Sequence, residues 1–177
     1  MLLDTSREED EMKLSYALVE TRMGWLRVLG STAGLCRIVL PQASPQAVLS
    51  AFGERWLGAT SDASPFGDLP QRLMGYFDGE VVAFPDQLDL ANATPFQRAV
   101  WQMTRSIPYG QTRSYAWVAQ QIGIPRGARA VGQALARNPL PLVVPCHRVI
   151  GTGGELGGFR YGSEMKRYLL QRETAKM

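Results

Sequence analysis

Histidine occurs once in the 177 residues, and cysteine twice. Two thiols, Cys36 and Cys146, make no disulfide framework, so a reducing cytoplasm is the expected setting. One histidine and two cysteines also fall short of the four ligands of a structural zinc site, and neither a metal nor another cofactor is expected. No apolar run approaches the length that spans a bilayer, so no membrane partner is expected. The opening stretch, "MLLDTSREEDEMKL", lacks the basic and apolar regions of a signal peptide. Residues 1–12 are expected to be a flexible, solvated tail.

Acidic residues are scarce in the second half. Residues 91–177 carry 12 Lys/Arg against 3 Asp/Glu, net +9, while residues 1–90 carry 7 against 13, net −6. That asymmetry points to a basic face for a polyanion on the second half. The apolar fraction, 45%, is that of an ordinary globular chain, long enough to bury a sizeable core.

The pattern is α+β. "KLSYALVE" (13–20), "GWLRVLGS" (24–31) and "GLCRIVLP" (34–41) read as short strands, parted by the hairpin turns "TRMG" and "STAG". Ser44-Pro45 then caps a helix over "QAVLSAFGERWLG", "SDASPFGD" (61–68) reads as a loop, and "DLPQRLMGYFDGE" (68–80) gives another helix. This predicts a small amino-terminal sheet with helices over 13–90. A mostly helical carboxy-terminal domain follows over 91–177. There Thr94-Pro95 caps "FQRAVWQMTRSI", Ser114 caps "YAWVAQQIG", and "GARAVGQALARN" (127–138) follows a short turn, a helix-turn-helix pattern. "LVVPCHRVI" reads as a buried strand, "GTGGELGGFRYG" (151–162) as a glycine-rich loop, and "SEMKRYLLQRETAK" as a closing helix capped by Ser163.

The single histidine, His147, stands directly after Cys146 and Pro145. A thiol is nucleophilic only as thiolate, and a neutral imidazole is the side chain best matched to take its proton. Neighbouring strand residues point to opposite faces, so His147 would act on Cys146 through a water. An orienting carboxylate must then come from Glu155, Glu164 or Glu173, the only acids of the second half. Cys36 lacks such neighbours and is expected in the core. The second helix of the pair turns Val131 and Leu135 inward. Its other face is thin, with Gly127, Ala128, Gly132 and Ala136, and its polar residues are Arg126, Arg129, Gln133 and Arg137. Small residues with one long cation suit the minor groove of DNA better than base reading in the major groove. The competing reading is a helix packed tightly against the core.

With "FQRAVWQMTRSIPYGQTRSYAWVA", "GARAVGQALARNPLPLVVPCHRVIG" and "KRYLLQRE" in place, the stretch from Thr94 to Glu173 closely resembles the O6-alkylguanine-DNA alkyltransferases. The first half is similar only in its strand-then-helix order. The resemblance implies a monomer that flips an alkylated guanine out of double-stranded DNA, with O4-alkylthymine a further candidate substrate. The alkyl group then passes once, irreversibly, to the protein. It implies Cys146 as alkyl acceptor, His147 as base through water, Glu173 as the carboxylate orienting it, and Asn138 as support for the turn before Cys146. Tyr115 would line the lesion pocket and assist the leaving guanine. Val149, Phe159, Arg160 and Pro141 would also line it, with backbone groups of Cys146, Val149 and Arg160 at the base edge. Arg129 would enter the duplex in place of the flipped nucleotide, flanked on the DNA by Ala128, Gly132, Arg126, Gln133 and Ser114. Family members often carry tyrosine where this chain has Phe159, so a hydroxyl contact is lost there. Two other functions remain open on the residues: a Cys-His hydrolase or acyltransferase, and a DNA-binding alkylation sensor.

Overall fold

The computed structural model describes residues 13–52 and 58–174. The expected tail, the end of the first helix and the last residues of the closing helix lie outside the described residues.

Three strands open the chain: β1 (Ser15–Thr21), β2 (Gly24–Ser31) and β3 (Gly34–Gln42). They pair antiparallel as two hairpins, Thr21 facing Gly24 and Ser31 facing Gly34. A two-residue strand, β4 (Thr60–Ser61), overlaps the start of the stretch read as a loop. It adds parallel to β1, giving the order β3-β2-β1-β4. Period-2 alternation sorts the side chains to two faces. Ala17, Val19, Leu26, Val28, Ile38 and Leu40 join the main core. Leu29 and Val39 pack on the other face with Val48 of α1 (Pro45–Phe52). Ser44 caps α1, its Oγ accepting from Ala47 N at 3.1 Å.

After α2 (Leu69–Asp78), residues 79–93 run without helix or strand along the sheet. Leu35 N donates to Gln87 O and Asp89 N to Leu35 O, while Ile38 N donates to Pro139 O. The outer edge of β3 is therefore covered by the connector and by the second half. The main core is likewise continuous, from the sheet and α2 through α3 (Pro95–Arg105) to Leu169.

Local signals fix the second half. Thr94 and Gln97 form the capping box of α3, with Pro95 in its first turn. Ser114 caps α4 (Tyr115–Gln121), accepting from Trp117 N at 3.0 Å. Gly123 at φ 80° stops α4, and Ile124 N reaches back to Ala119 O as the 6→1 bond of a Schellman turn. The next helix, α5 (Ala128–Ala136), packs on α3 and α4. Val131, Ala134 and Leu135 are buried, and Trp101 Nε1 donates to Ala134 O at 3.0 Å.

The segment read as a buried strand does not form one. Residues 139–144 turn, Cys146–Arg148 is a 3₁₀ turn, and only Val149–Ile150 (β6) pairs, parallel to β5 (Arg113–Ser114). Pro141 and Pro145 lack N–H donors, and Asn138 supplies turn bonds instead of a ladder. Asn138 Nδ2 donates to Val144 O at 2.9 Å and its Oδ1 accepts from Leu140 N at 2.9 Å. Leu142, at φ 74°, is the one non-glycine residue with positive φ among those described. The closing helix is α6 (Gly162–Thr174), so Ser163 lies in its first turn rather than at its cap.

Candidate active site

Cys146 begins the 3₁₀ turn and is 7% exposed. Asn138 Nδ2 donates to its Sγ at 3.1 Å, the same amide that holds the turn to Val144. Burial raises the thiol's pKa, opposed by Asn138 and by the nearby Lys166 ammonium. His147 is wholly buried, and burial lowers its pKa against the pull of Glu173. The resting pair is therefore neutral, a thiol beside an imidazole.

Glu173, on α6 and 1% exposed, gathers donors on both oxygens. His147 Nε2 at 2.8 Å, Arg148 Nη2 at 2.9 Å and Tyr76 Oη at 2.8 Å all meet Oε1. Arg148 Nε at 2.8 Å and Gly110 N at 3.2 Å meet Oε2. Burial alone would raise this carboxyl, but the hydrogen bonds from His147 and Arg148 hold it down at about 2. A carboxylate accepts only, so Nε2 of His147 carries the hydrogen. Nδ1 is then left as the acceptor, buried and without a protein partner. That is the tautomer a base for Cys146 needs.

Both groups oppose acid. Glu173 ionises more readily folded than unfolded. Its contribution is thus complete above its ordinary pKa of 4.5 and is lost as pH falls toward 2. His147 also has its pKa lowered by folding, so its contribution is present above 6.5 and declines below that pH. The urea midpoint should therefore fall in two stages as the pH is lowered from 7. Glu173→Gln should remove the lower stage and leave the upper.

Above Cys146 lies a cavity of about 10 Å³, lined by Tyr115, Asn138, Pro141, Phe159, Arg160 and Tyr161 among others. That is room for about one water. The glycine-rich loop closes it. Gly157, at φ +66°, lets the loop lie on Tyr115, because a Cβ there would stand 2.6 Å from the Tyr115 hydroxyl. Lys166 is fully buried, donating to Val149 O at 2.6 Å and to Tyr115 Oη at 3.4 Å. Burial lowers its pKa to about 8. A wider groove of about 670 Å³ runs beside the cavity, lined by Ala128, Arg129, Gly132, Gln133 and Ala136 of α5. Tyr115, Ala136, Gly158, Phe159 and Arg160 line both spaces.

The sequence-predicted residues thus divide. Cys146, His147, Glu173 and Asn138 form one bonded cluster, and Tyr115, Pro141, Phe159 and Arg160 line its cavity. Val149 does not line it, and its carbonyl is taken by Lys166. Arg129, Gln133, Ala128 and Gly132 line the groove, whereas Arg126 is exposed in the turn before α5 and the Ser114 hydroxyl caps α4. Cys36, expected in the core, is half-buried at the sheet edge, 3.6 Å from Asp89 Oδ2, and burial pushes its thiol up to about 11. Tyr76, Arg148 and Lys166 were missed by reasoning from sequence. Arg148 follows the Cys-His pair, and its place beside the lone histidine was the available signal. Tyr76 and Lys166 carried none.

Residues 95–175 match the family described as 6-O-methylguanine DNA methyltransferase, DNA binding domain. The methylated-DNA–protein-cysteine methyltransferase of Mycobacterium tuberculosis is 47% identical over 117 residues, 66% of this chain and 70% of that protein. The protein of the same name from Mycolicibacterium paratuberculosis is 39% identical over 160 residues, 90% of this chain and 92% of its own. The crystal structure of Mycobacterium tuberculosis OGT in complex with DNA superposes with a TM-score of 0.77 at 39% identity, covering 92% of this chain and 94% of that one.

Proposed function

This chain belongs to the methylated-DNA–protein-cysteine methyltransferases, and on that premise we propose that Cys146 is the cysteine that takes the alkyl group. The reaction is direct-reversal DNA repair: an alkyl group leaves O6 of guanine in DNA for the protein's own sulfur. The observation that carries the assignment is the shared wall between two spaces. The cavity over the Cys146 thiol and the groove of α5 have five lining residues in common. A base leaving a duplex seated on α5 enters at the nucleophile.

The cavity over Cys146 is too small for a purine, so the glycine-rich loop moves aside as the base arrives. The Cys146 proton passes, through one water, to Nδ1 of His147, and Glu173 stabilises the imidazolium formed. Sγ then forms a bond to the alkyl carbon, the carbon–O6 bond breaks, and its electron pair stays with the guanine. Tyr115, which accepts from the Lys166 ammonium and lines the cavity, supplies the hydroxyl that meets that departing charge. The thioether does not revert, so each molecule reacts once. The two halves divide the labour, 91–177 holding DNA and acceptor and 13–90 supporting them. The protein acts as a cytoplasmic monomer in the minor groove. Ala128, Gly132 and Ala136 leave α5 thin enough for close approach there. A Cys-His hydrolase is not favoured, since its nucleophile would need no wall shared with such a helix.

Arg129 is the exposed cation that α5 contributes to the groove, and it fills the gap left by the flipped nucleotide. Flipping costs a few kcal/mol, which an inserted side chain partly offsets. Arg129→Ala should slow repair of a paired lesion about tenfold or more while leaving reaction with free O6-benzylguanine near wild type. Equal losses on both substrates would remove the wedge role. Weakened binding to every DNA with a smaller salt slope would make Arg129 a phosphate contact instead.

A further inference from the structure

Glu173 is reached by a side chain from the other half of the molecule. Tyr76, on α2, lies 97 residues away in sequence and is 1% exposed, and its hydroxyl donates to Glu173 Oε1 at 2.8 Å. That is the same oxygen, at the same distance, that accepts from His147 Nε2. We propose that Tyr76 is a positioning residue for alkyl transfer: by donating to Glu173 it moderates the carboxylate's hold on the His147 proton, and so sets the pH range in which Cys146 reacts.

The inference rests on the reading of Cys146 as the acceptor. A lone pair on Oε1 engaged by one donor is less available to another, and charge drawn toward Tyr76 is charge withdrawn from the imidazolium. The donor is permanent. Burial first, then the Glu173 charge, push the Tyr76 phenol well above its ordinary range, so it does not ionise at working pH. It is also held in place. Its ring meets Phe77 edge-on with centroids 5.4 Å apart, and Tyr109 in the same manner at 6.3 Å. Its own carbonyl accepts from Arg172 Nε at 2.9 Å.

The other charged and titratable groups around the relay are accounted for. Arg148 from the 3₁₀ turn holds both Glu173 oxygens. Arg172 on α6 and Tyr109 after α3 border the carboxylate's surroundings without a hydrogen bond to it. Tyr115 and Tyr161 act on the thiol side, and the Lys166 charge acts on both Cys146 and His147. Burial lowers the Lys166 pKa to about 8, so its own titration falls in the upper part of any pH profile, and its hydrogen bonds go to Val149 and Tyr115 rather than to Tyr76 or Glu173. Of these groups, Tyr76 alone comes from the first half and meets Glu173 directly.

The test is the rate of methyl transfer from an O6-methylguanine duplex, measured from pH 5.5 to 9, for wild type, Tyr76→Phe and the protein with 3-fluorotyrosine at position 76. Phenylalanine keeps the ring contacts and deletes the donor. Glu173 then pulls harder on His147, and the ratio of the rate at pH 6 to that at pH 8.5 should rise about threefold over wild type. Fluorotyrosine is a more acidic phenol and a stronger donor, so its ratio should fall. It also decides the matter if the phenylalanine variant does not fold. Wild-type ratios in both, or slowing uniform across pH, would overturn the inference and leave Tyr76 a packing residue. Absence of transfer by wild type itself would instead overturn the assignment on which it rests.

Discussion

Replacing Cys146 with alanine should give a protein that binds duplex DNA and accepts no alkyl group. On the proposed assignment the Cys146 sulfur forms the new bond, and among the described residues no other thiol lines its cavity. The fold should survive the loss. Alanine removes one atom from a cavity already present, and Asn138 keeps its bond to Val144 O when its second partner goes. A single neutral hydrogen bond contributes about 1 kcal/mol. Cys36→Ala is the control. That thiol is held above its ordinary range, with the Asp89 carboxylate rather than an imidazole beside it, so its removal should leave transfer intact. Intact mass after incubation with O6-methylguanine duplex, followed by peptide mapping, reads both variants. A methyl group found on Cys36, or on the Cys146→Ala protein, would sink the assignment.

The second large effect is at Glu173. Glutamine matches its shape, yet five donor contacts converge on the two oxygens and an amide has only one. With its NH2 toward Arg148 Nε and Gly110 N, donors face donors. With its NH2 toward His147, the imidazole must turn its bare nitrogen to the amide and carry its hydrogen on Nδ1. That is the wrong tautomer for taking a proton from Cys146. Glu173→Gln should therefore slow transfer by about 10²- to 10⁴-fold, the usual weight of a general base. It also strands Arg148 without its counter-charge, and breaking a buried pair in this way costs about 3–5 kcal/mol. At roughly 2–4 °C per kcal/mol the melting temperature should fall by about 10 °C. Transfer at the wild-type rate by folded Glu173→Gln protein would take the His147 relay out of the mechanism.

What could be read from the sequence follows from how local each cause is. Thr94-Pro95 with Gln97, and Ser114 ahead of "YAWVA", are caps whose donors and acceptors lie within three residues, and both stand as expected. The two hairpins and the inward stripe of Val131 and Leu135 follow the same rule. The run around Cys146 misled because β-branched residues suggest a strand, whereas two prolines and the Asn138 side chain decide the backbone there. The site was legible where its parts are neighbours or where choice was narrow: one histidine, and three acids in the second half. Tyr76 meets Glu173 only through the fold. Lys166 stands in a charged helical stretch that reads as surface, and only the packing of α6 buries it.

The covered edge of β3 has a bearing on how the molecule comes apart. A bare edge strand is a row of unpaired amides and carbonyls, a template for joining chains into aggregates. Here Gln87 and Asp89 of the connector engage the row at Leu35 and Pro139 of the second half engages it at Ile38, so the whole row becomes available only when the connector and the second half both come away. Opening of this seam, connector included, would bare an adhesive border, and it is the step at which repair capacity and solubility are forfeited together.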